Sequence, residues 1–392
     1  MSGAGLLWRV ASLAAAIGVV LGCGTWFALT RAPGQAGVKD AAARQSLADH
    51  PRETPAKPIT VVAVTPVKAT TGVNGTTPIT VTFSDPLAAD SPMPTVTPSV
   101  AGSWQRLNAS TIEFLPAVGF TEQTHVLVHI PAGTTGVRST TGGLLAAPLI
   151  TGFWTASYSV TRAEQLLAQL GYLPLTWAPA SPAGAVPASS PSAQLSAAYD
   201  PPAGTFSWQS GYPSELMNMW APGQTNEVLT GAVWAFESDH NLGMDGVAGP
   251  EVWAALLNAV AAGQNNTHGY TYALASQVQP ETLTVWHNGQ VILTSPANTG
   301  VPGATTADGT FPVYSKFVNT IMSGKNPNGT SYRDSVWYVS YFNGGDAVHY
   351  FPRASYGFPQ SDGCVELPYS QAVFIYPYLT YGTLVTVTGP IP

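Results

Sequence analysis

The hydrophobic period changes twice along this chain, so it must hold more than one kind of packed unit. Pro78-Ile79-Thr80-Val81-Thr82-Phe83 alternates apolar with polar, and Val126-Leu127-Val128-His129-Ile130 is a second β-branched run. Runs of this kind between Pro and Gly turns predict strands at least half buried, continuing to about Tyr158. His125 and His129 fall on one strand face, and without further ligands they read as outward polar residues. The period then becomes helical. Ala163, Leu166, Leu167 and Leu170 share a face, Thr161 with Glu164 reads as a capping box, and Gly171 fits the stop. A second helical stretch covers 226–240, Asp245-Gly246 turns the chain, and Pro250 opens a third helix. Ala, Pro and Ser dominate between the first two helices, which predicts a disordered insert over 178–205. From Tyr270 strand patterns return. Asn288-Gly289 between two such patterns predicts a hairpin. Strands are expected near 311–314, 337–341, 347–351 and 384–388, with one helix near 369–378.

At 392 residues, two or three domains are expected. Charged residues are only 9%, against about 25% in an ordinary soluble protein. Thr, Ser, Asn, Gly and Pro carry the polarity, which fits an extracytoplasmic, strand-rich chain. The net charge of −7 with no basic block excludes a nucleic-acid partner. Arg9 and Arg31 bracket 21 uncharged residues, enough for one bilayer crossing. Residues 1–31 therefore read as a signal anchor, or as a lipoprotein signal processed at Cys23. The anchor is preferred because the apolar run continues past Cys23 to Leu29. Residues 32–58 form a Pro-rich linker. Both export readings place the rest of the chain outside the cytoplasm, membrane-anchored at the cell envelope.

Cys364 is then the one thiol of the exported region. A lone exported cysteine is either a nucleophile or a small buried hydrophobe. Its surroundings favour the first: His349-Tyr350-Phe351 ends a strand pattern, and Ser361-Asp362-Gly363-Cys364-Val365-Glu366 follows. A free thiol titrates near 8.5, so a nucleophilic cysteine needs a base, and imidazole supplies one.

These residues resemble the L,D-transpeptidase catalytic domain, also called YkuD-like, over 269–391. Thr299-Gly300, Ala307-Asp308-Gly309-Thr310-Phe311 and Gly344-Gly345-Asp346 add to the likeness. Residues 59–157 resemble a bacterial Ig-like domain through Thr82-Phe83-Ser84-Asp85-Pro86, Gly102-Ser103-Trp104 and Phe114-Leu115-Pro116. Residues 158–265 resemble a three-helix peptidoglycan-binding domain through Gly171-Tyr172-Leu173, Ala232-Val233-Trp234-Ala235-Phe236 and Asp245-Gly246-Val247-Ala248-Gly249-Pro250. The expected architecture is multi-domain and mainly β. It comprises an N-terminal Ig-like β-sandwich, a small three-helix module and a C-terminal YkuD-like β-sandwich.

The resemblance implies that Cys364 is the nucleophile and His349 the general base and acid. The Tyr350 backbone carbonyl would orient His349, and the Gly363 and Cys364 amides would face an oxyanion. Tyr332 would hold substrate, and Met322 with its neighbours to Gly329 would form a mobile lid. Ser361, Asp362 and Glu366 are further substrate-binding candidates. Asp362 stands where the commoner motif has His, and Glu366 where it has Asn or Arg. A carboxylate beside the thiol disfavours the thiolate, so Asp362 either points away or orients a donor, or else Asp362 and Glu366 read substrate amines or amides. The implied reaction joins peptidoglycan stem peptides by 3→3 cross-links through a thioester, with no metal or organic cofactor. The partners are stem peptides, glycan and the membrane. An L,D-carboxypeptidase on the same scaffold and a non-catalytic wall-binding protein are the rival readings.

Overall fold

The computed structural model describes residues 56–389. The export segment 1–31 and most of the 32–58 linker lie outside the described residues. No helix among the described residues is long and apolar enough to cross a membrane.

The first unit is a β-sandwich. Its strands are β1 Val61–Thr65, β2 Ile79–Phe83, β3 Thr95–Thr97, β4 Gly102–Arg106, β5 Thr111–Pro116, β6 His125–Ile130 and β7 Leu149–Trp154. They form two antiparallel sheets in the orders β1-β2-β5-β4 and β3-β6-β7. The alternation seen in the sequence decides the inner faces. Ile79, Val81 and Phe83 from one sheet meet Val126, Val128, Ile130 and Phe153 from the other, all buried. Each such side chain contributes roughly 1.5–3 kcal/mol when fully buried. His125 and His129 are exposed, as their face requires, and His125 stacks on Trp154 at 4.5 Å.

The helical unit is larger than three helices. It contains α1 Val160–Gln169, β8 Leu175–Pro179, α2 Pro191–Tyr199, β9 Gly204–Trp208, α3 Ser214–Met217, α4 Glu227–Asp239 and α5 Pro250–Ala262. The expected disorder at 178–205 is overturned here. β8 pairs with β9, and α2 packs Leu195 and Ala198 into the helical core. The low-complexity run conceals ordinary helix chemistry. Ser190 Oγ accepts the Ala193 N–H at 3.3 Å, Pro191 takes the first turn, and alanines propagate the helix. The expected capping box is also absent. Ser159 is the N-cap, which places Glu164 a full turn inside α1, too far along to reach back. Glu164 instead accepts the Gly223 N–H at 2.8 Å. Gly171 does follow the helix end in the left-handed region, at φ 81°.

The C-terminal unit comprises β10 Thr271–Ser276, β11 Thr282–His287, β12 Gln290–Pro296, β13 Gly309–Pro312, β14 Ser315–Lys325, β15 Ser331–Asn343, β16 Asp346–Tyr350, β17 Val365–Leu367, α6 Tyr369–Ile375 and β18 Leu384–Thr388. Two sheets form, ordered β12-β11-β10-β18-β13 and β14-β15-β16-β17. The hairpin between β11 and β12 turns at Asn288 and Gly289, both at positive φ, as a type I′ turn demands. Ala273, Val285 and Val385 from the first sheet share a core with Val348, Val365 and Leu367 from the second. The outer face of the first sheet, through Tyr272 and Leu384, joins the helical core. The outer face of the second sheet is left for the cleft described next.

Candidate active site

Strand register assembles this cleft. In the parallel pair β16–β17, His349 is paired with Glu366. Paired residues point to one side of a sheet, and so do residues two apart along a strand. His349, Glu366 and Cys364 therefore share a face. On the neighbouring hairpin Met322 pairs with Asp334, and Tyr332, Asp334 and Val336 alternate along β15. These residues line one cleft of about 260 Å³ together with Asn326, Phe351, Arg353, Gln360, Ser361 and Asp362.

His349 is buried, 3% exposed, and its Nδ1 donates to the Tyr350 carbonyl at 2.9 Å. A carbonyl only accepts, so the ring proton sits on Nδ1 and the Nε2 lone pair is free. Burial lowers the His349 pKa below its ordinary value, opposed by the Tyr350 hydrogen bond and the Glu366 charge. The imidazole is thus uncharged at neutral pH and able to take a proton.

Cys364 is 8% exposed. Its sulfur lies 3.7 Å from the Gly345 carbonyl oxygen and 3.9 Å from Met322 Sδ. Burial pushes the thiol up to about 12; a backbone hydrogen bond from Ala347 opposes this, and Asp346, Glu366 and Asp362 add to it. The resting pair is therefore a neutral thiol near a neutral imidazole. Burial in the cleft penalises the thiolate and the imidazolium alike.

The turn before the cysteine explains Gly363. Its φ of +111° strains any larger residue, and a β-carbon there would lie 2.5 Å from Asp346 Oδ1, so that carboxyl would also have to shift. The Gly363 N–H, expected to face an oxyanion, instead donates to Ser361 Oγ at 3.2 Å. The Ser361 hydroxyl in turn donates to the Cys364 carbonyl at 2.6 Å. Ser361 thus braces the turn before Cys364 from within. Among the described residues the Cys364 N–H has no acceptor, which leaves that amide available to a developing oxyanion.

Glu366 does not match its expected role as a reader of substrate amines. Arg353 clamps it with Nε to Oε2 at 2.8 Å and Nη2 to Oε1 at 2.7 Å, and Asn298 adds a bond at 3.3 Å. Both carboxylate oxygens are occupied, so the residue ties β17 to the segment that carries Arg353. Asp362 keeps its carboxyl on the cleft wall, its pKa raised chiefly by burial. Tyr332 also lines the wall, its hydroxyl pKa raised by burial and by Asp362. Met322 is there too, but not on an irregular loop. Residues 315–325 and 331–343 are one long paired hairpin, closed by a short turn in which the Gly329 N–H donates to Asn326 O. The glycines and asparagines that suggested a loop belong to that turn and its flanks.

Arg353, Asp334 and Asp346 escape the sequence reading. Asp334 was accessible by counting two from Tyr332 along a strand. Arg353 carries no local signal, since its partner is thirteen residues away. Asp346 is pushed up to about 6 by burial under the turn at Gly363, which no pattern in its own segment announces.

Two family models match parts of this chain. Residues 271–387 match the family model of the YkuD L,D-transpeptidase catalytic domain, and residues 55–155 match that of the Big_5 bacterial Ig-like domain. No curated protein matches the sequence. Among solved structures, an L,D-transpeptidase from Mycobacterium smegmatis aligns over 85% of this chain and 100% of its own, at 15% identity and TM-score 0.29. L,D-transpeptidase 3 from Mycobacterium tuberculosis aligns over 84% and 99%, at 16% and 0.28. The catalytic domain of an E. faecium L,D-transpeptidase aligns over 30% and 96%, at 26% and 0.28. The chain carries an L,D-transpeptidase catalytic domain behind a bacterial Ig-like domain.

Proposed function

We propose that this chain forms 3→3 peptidoglycan cross-links through a thioester on Cys364. The observation that carries the reading is the shared face of Cys364 and His349 in one cleft, with His349 Nδ1 tied to the Tyr350 carbonyl and Nε2 left free. A donor stem enters with its third residue's carbonyl against Cys364. Sγ bonds to that carbon as the thiol proton passes to His349 Nε2, and the oxyanion meets the Cys364 N–H. The proton then goes to the departing D-Ala amine, leaving the thioester. A side-chain amine of a second stem attacks it. His349 takes the amine's proton and returns it to the leaving sulfur. Neutral partners suit this sequence, because charge develops only once substrate has entered. Losing an oxyanion donor typically costs about 100–1000-fold in turnover.

The same reading places the enzyme outside the cytoplasm. Residues 10–30 would anchor it in the membrane, the Ig-like domain would act as a spacer, and the helical unit would hold the wall polymer. The test incubates the chain and its Cys364→Ala variant with disaccharide-tetrapeptide and weighs the products. Tetrapeptide dimers lacking one D-Ala, absent with the variant, are expected. D-Ala release without dimers would move the reading to carboxypeptidase, and no turnover by a folded chain would overturn it.

A further inference from the structure

Stability alone does not account for one buried ion pair in the cleft. Glu366 is 4% exposed, and Arg353 holds it through Nε to Oε2 at 2.8 Å and Nη2 to Oε1 at 2.7 Å. Well-packed apolar side chains in place of such a pair are often as stable or more so. What distinguishes this pair is its position.

Glu366 is the direct register partner of His349 in the parallel ladder β16–β17. Neighbouring strands run about 4.8 Å apart, and paired side chains leave the sheet on the same side. The carboxylate therefore flanks the imidazole without bonding to it. His349 Nδ1 is taken by the Tyr350 carbonyl, and the Glu366 oxygens are taken by Arg353 and Asn298. Arg353 comes from the segment after β16, and its guanidinium rests over the Phe351 ring at 4.7 Å. The pair is thus a fixed dipole beside the base. Glu366 acts on the His349 ring more strongly than Arg353 does, so the negative end is the nearer one. Besides Cys364, the other titratable side chains on the cleft wall are Tyr332 and Asp334 from β15 and Asp362 from the turn before Cys364. The charges that act on the ring are those of Glu366 and Arg353.

We propose that Glu366 acts through His349 as a positioning residue, stabilising the imidazolium that forms when the base takes a proton, while Arg353 holds the carboxylate in place. The catalytic consequence rests on the cross-linking reading; the electrostatic role does not. In the resting pair both groups are neutral, so the carboxylate counts only once a proton reaches Nε2. An opposite charge within about 4–6 Å favours the charged form of a group by about 1–3 pH units, and Arg353 offsets part of this.

The experiment titrates the full chain, labelled with nitrogen-15 histidine, from pH 8 to pH 4 by NMR with no substrate present. Loss of one signal in His349→Gln assigns the ring. Glu366→Gln removes the carboxylate and leaves the guanidinium, so the His349 midpoint should fall by about one unit. Arg353→Gln with Glu366→Gln removes both ends of the dipole, and the midpoint should fall by less. Circular dichroism checks folding, and the double variant serves if the single one does not fold. Turnover of disaccharide-tetrapeptide is read alongside. In Glu366→Gln kcat should fall about tenfold, the equivalent of one unit, with KM little changed. An unmoved or higher His349 midpoint overturns the proposal even where kcat falls, because that loss is then structural. A parent His349 that stays neutral down to pH 4 overturns it as well. A lowered midpoint in a chain whose parent forms no dimers supports the electrostatic role and counts against cross-linking alone.

Discussion

Asp346 Oδ1 stands 2.5 Å from the position a β-carbon on Gly363 would take. The turn before Cys364 is therefore packed directly onto a carboxyl, with Gly363 at φ +111°. Gly363→Ala meets both constraints. It should destabilise the domain by about 1–3 kcal/mol through backbone strain alone, measured by denaturant unfolding, and turnover should fall with it. Adding Asp346→Ala removes the collision but not the φ penalty, so only part of the stability should return. Full recovery in the double variant would mean that the backbone conformation carries no cost.

The same carboxyl acts on the thiol. Burial is the main reason Cys364 is held up at about 12, and Asp346 is the first of three carboxyls that add to it. Removing a negative charge favours the thiolate, so Asp346→Asn should lower the thiol's pKa. The rate of iodoacetamide alkylation against pH reports this directly. Its midpoint should move down relative to the parent, and the rate at pH 8 should rise. Glu366→Gln should move the midpoint less, because Arg353 already offsets Glu366. An unmoved or higher midpoint in Asp346→Asn would show that burial alone sets the thiol.

Both β units were legible because alternation such as Ile79-Val81-Phe83 is a direct projection of which side faces the core. That Cys364 and His349 line one cleft was legible because their motif is local. The helical unit was read less well. Its Ala-Ser-Pro segment has the composition of a linker, yet α2 is fixed by Arg162, whose two terminal nitrogens reach Gln165 and Gln194. That is a tertiary fact with no sequence period. The Gly363 N–H, assigned to an oxyanion from the sequence, has another acceptor in the fold. Only the fold reveals that Ser361 Oγ folds back to accept it. Glu366 was misread because its partner, Arg353, lies on another segment.

Arg353 is predicted to be structural first. Glu366 is buried, its side chain 5% exposed, and the bidentate pair with Arg353 neutralises it. Arg353→Met strips one member of the pair and leaves a carboxylate in a low-dielectric site, which costs about 3–5 kcal/mol. Arg353→Met with Glu366→Met removes both charges, and most of that loss should disappear. Urea midpoints of the parent, both single variants and the double variant give the coupling. Additive single effects would show that the pair does not interact.

Two buried acids in the helical unit predict how stability depends on pH. Burial pushes Glu164 and Glu237 up to about 7 each, from an ordinary 4.5, and both carboxyls accept backbone N–H groups, from Gly223 and Gly246. A raised carboxyl means that the folded state holds more protons than the unfolded state between those two values. Stability therefore falls as pH rises through this window and levels off above it. The full contribution is present below about pH 4.5 and is lost once both groups ionise. Denaturant midpoints at pH 5, 6, 7 and 8 should decline steadily and then flatten. Glu164→Gln with Glu237→Gln keeps the side-chain oxygens as acceptors but removes the titration, so the decline should shrink. A slope of the same size in that double variant would place the titrating groups elsewhere, with Glu122 and Asp346, whose pKa values burial also raises, as the next to replace.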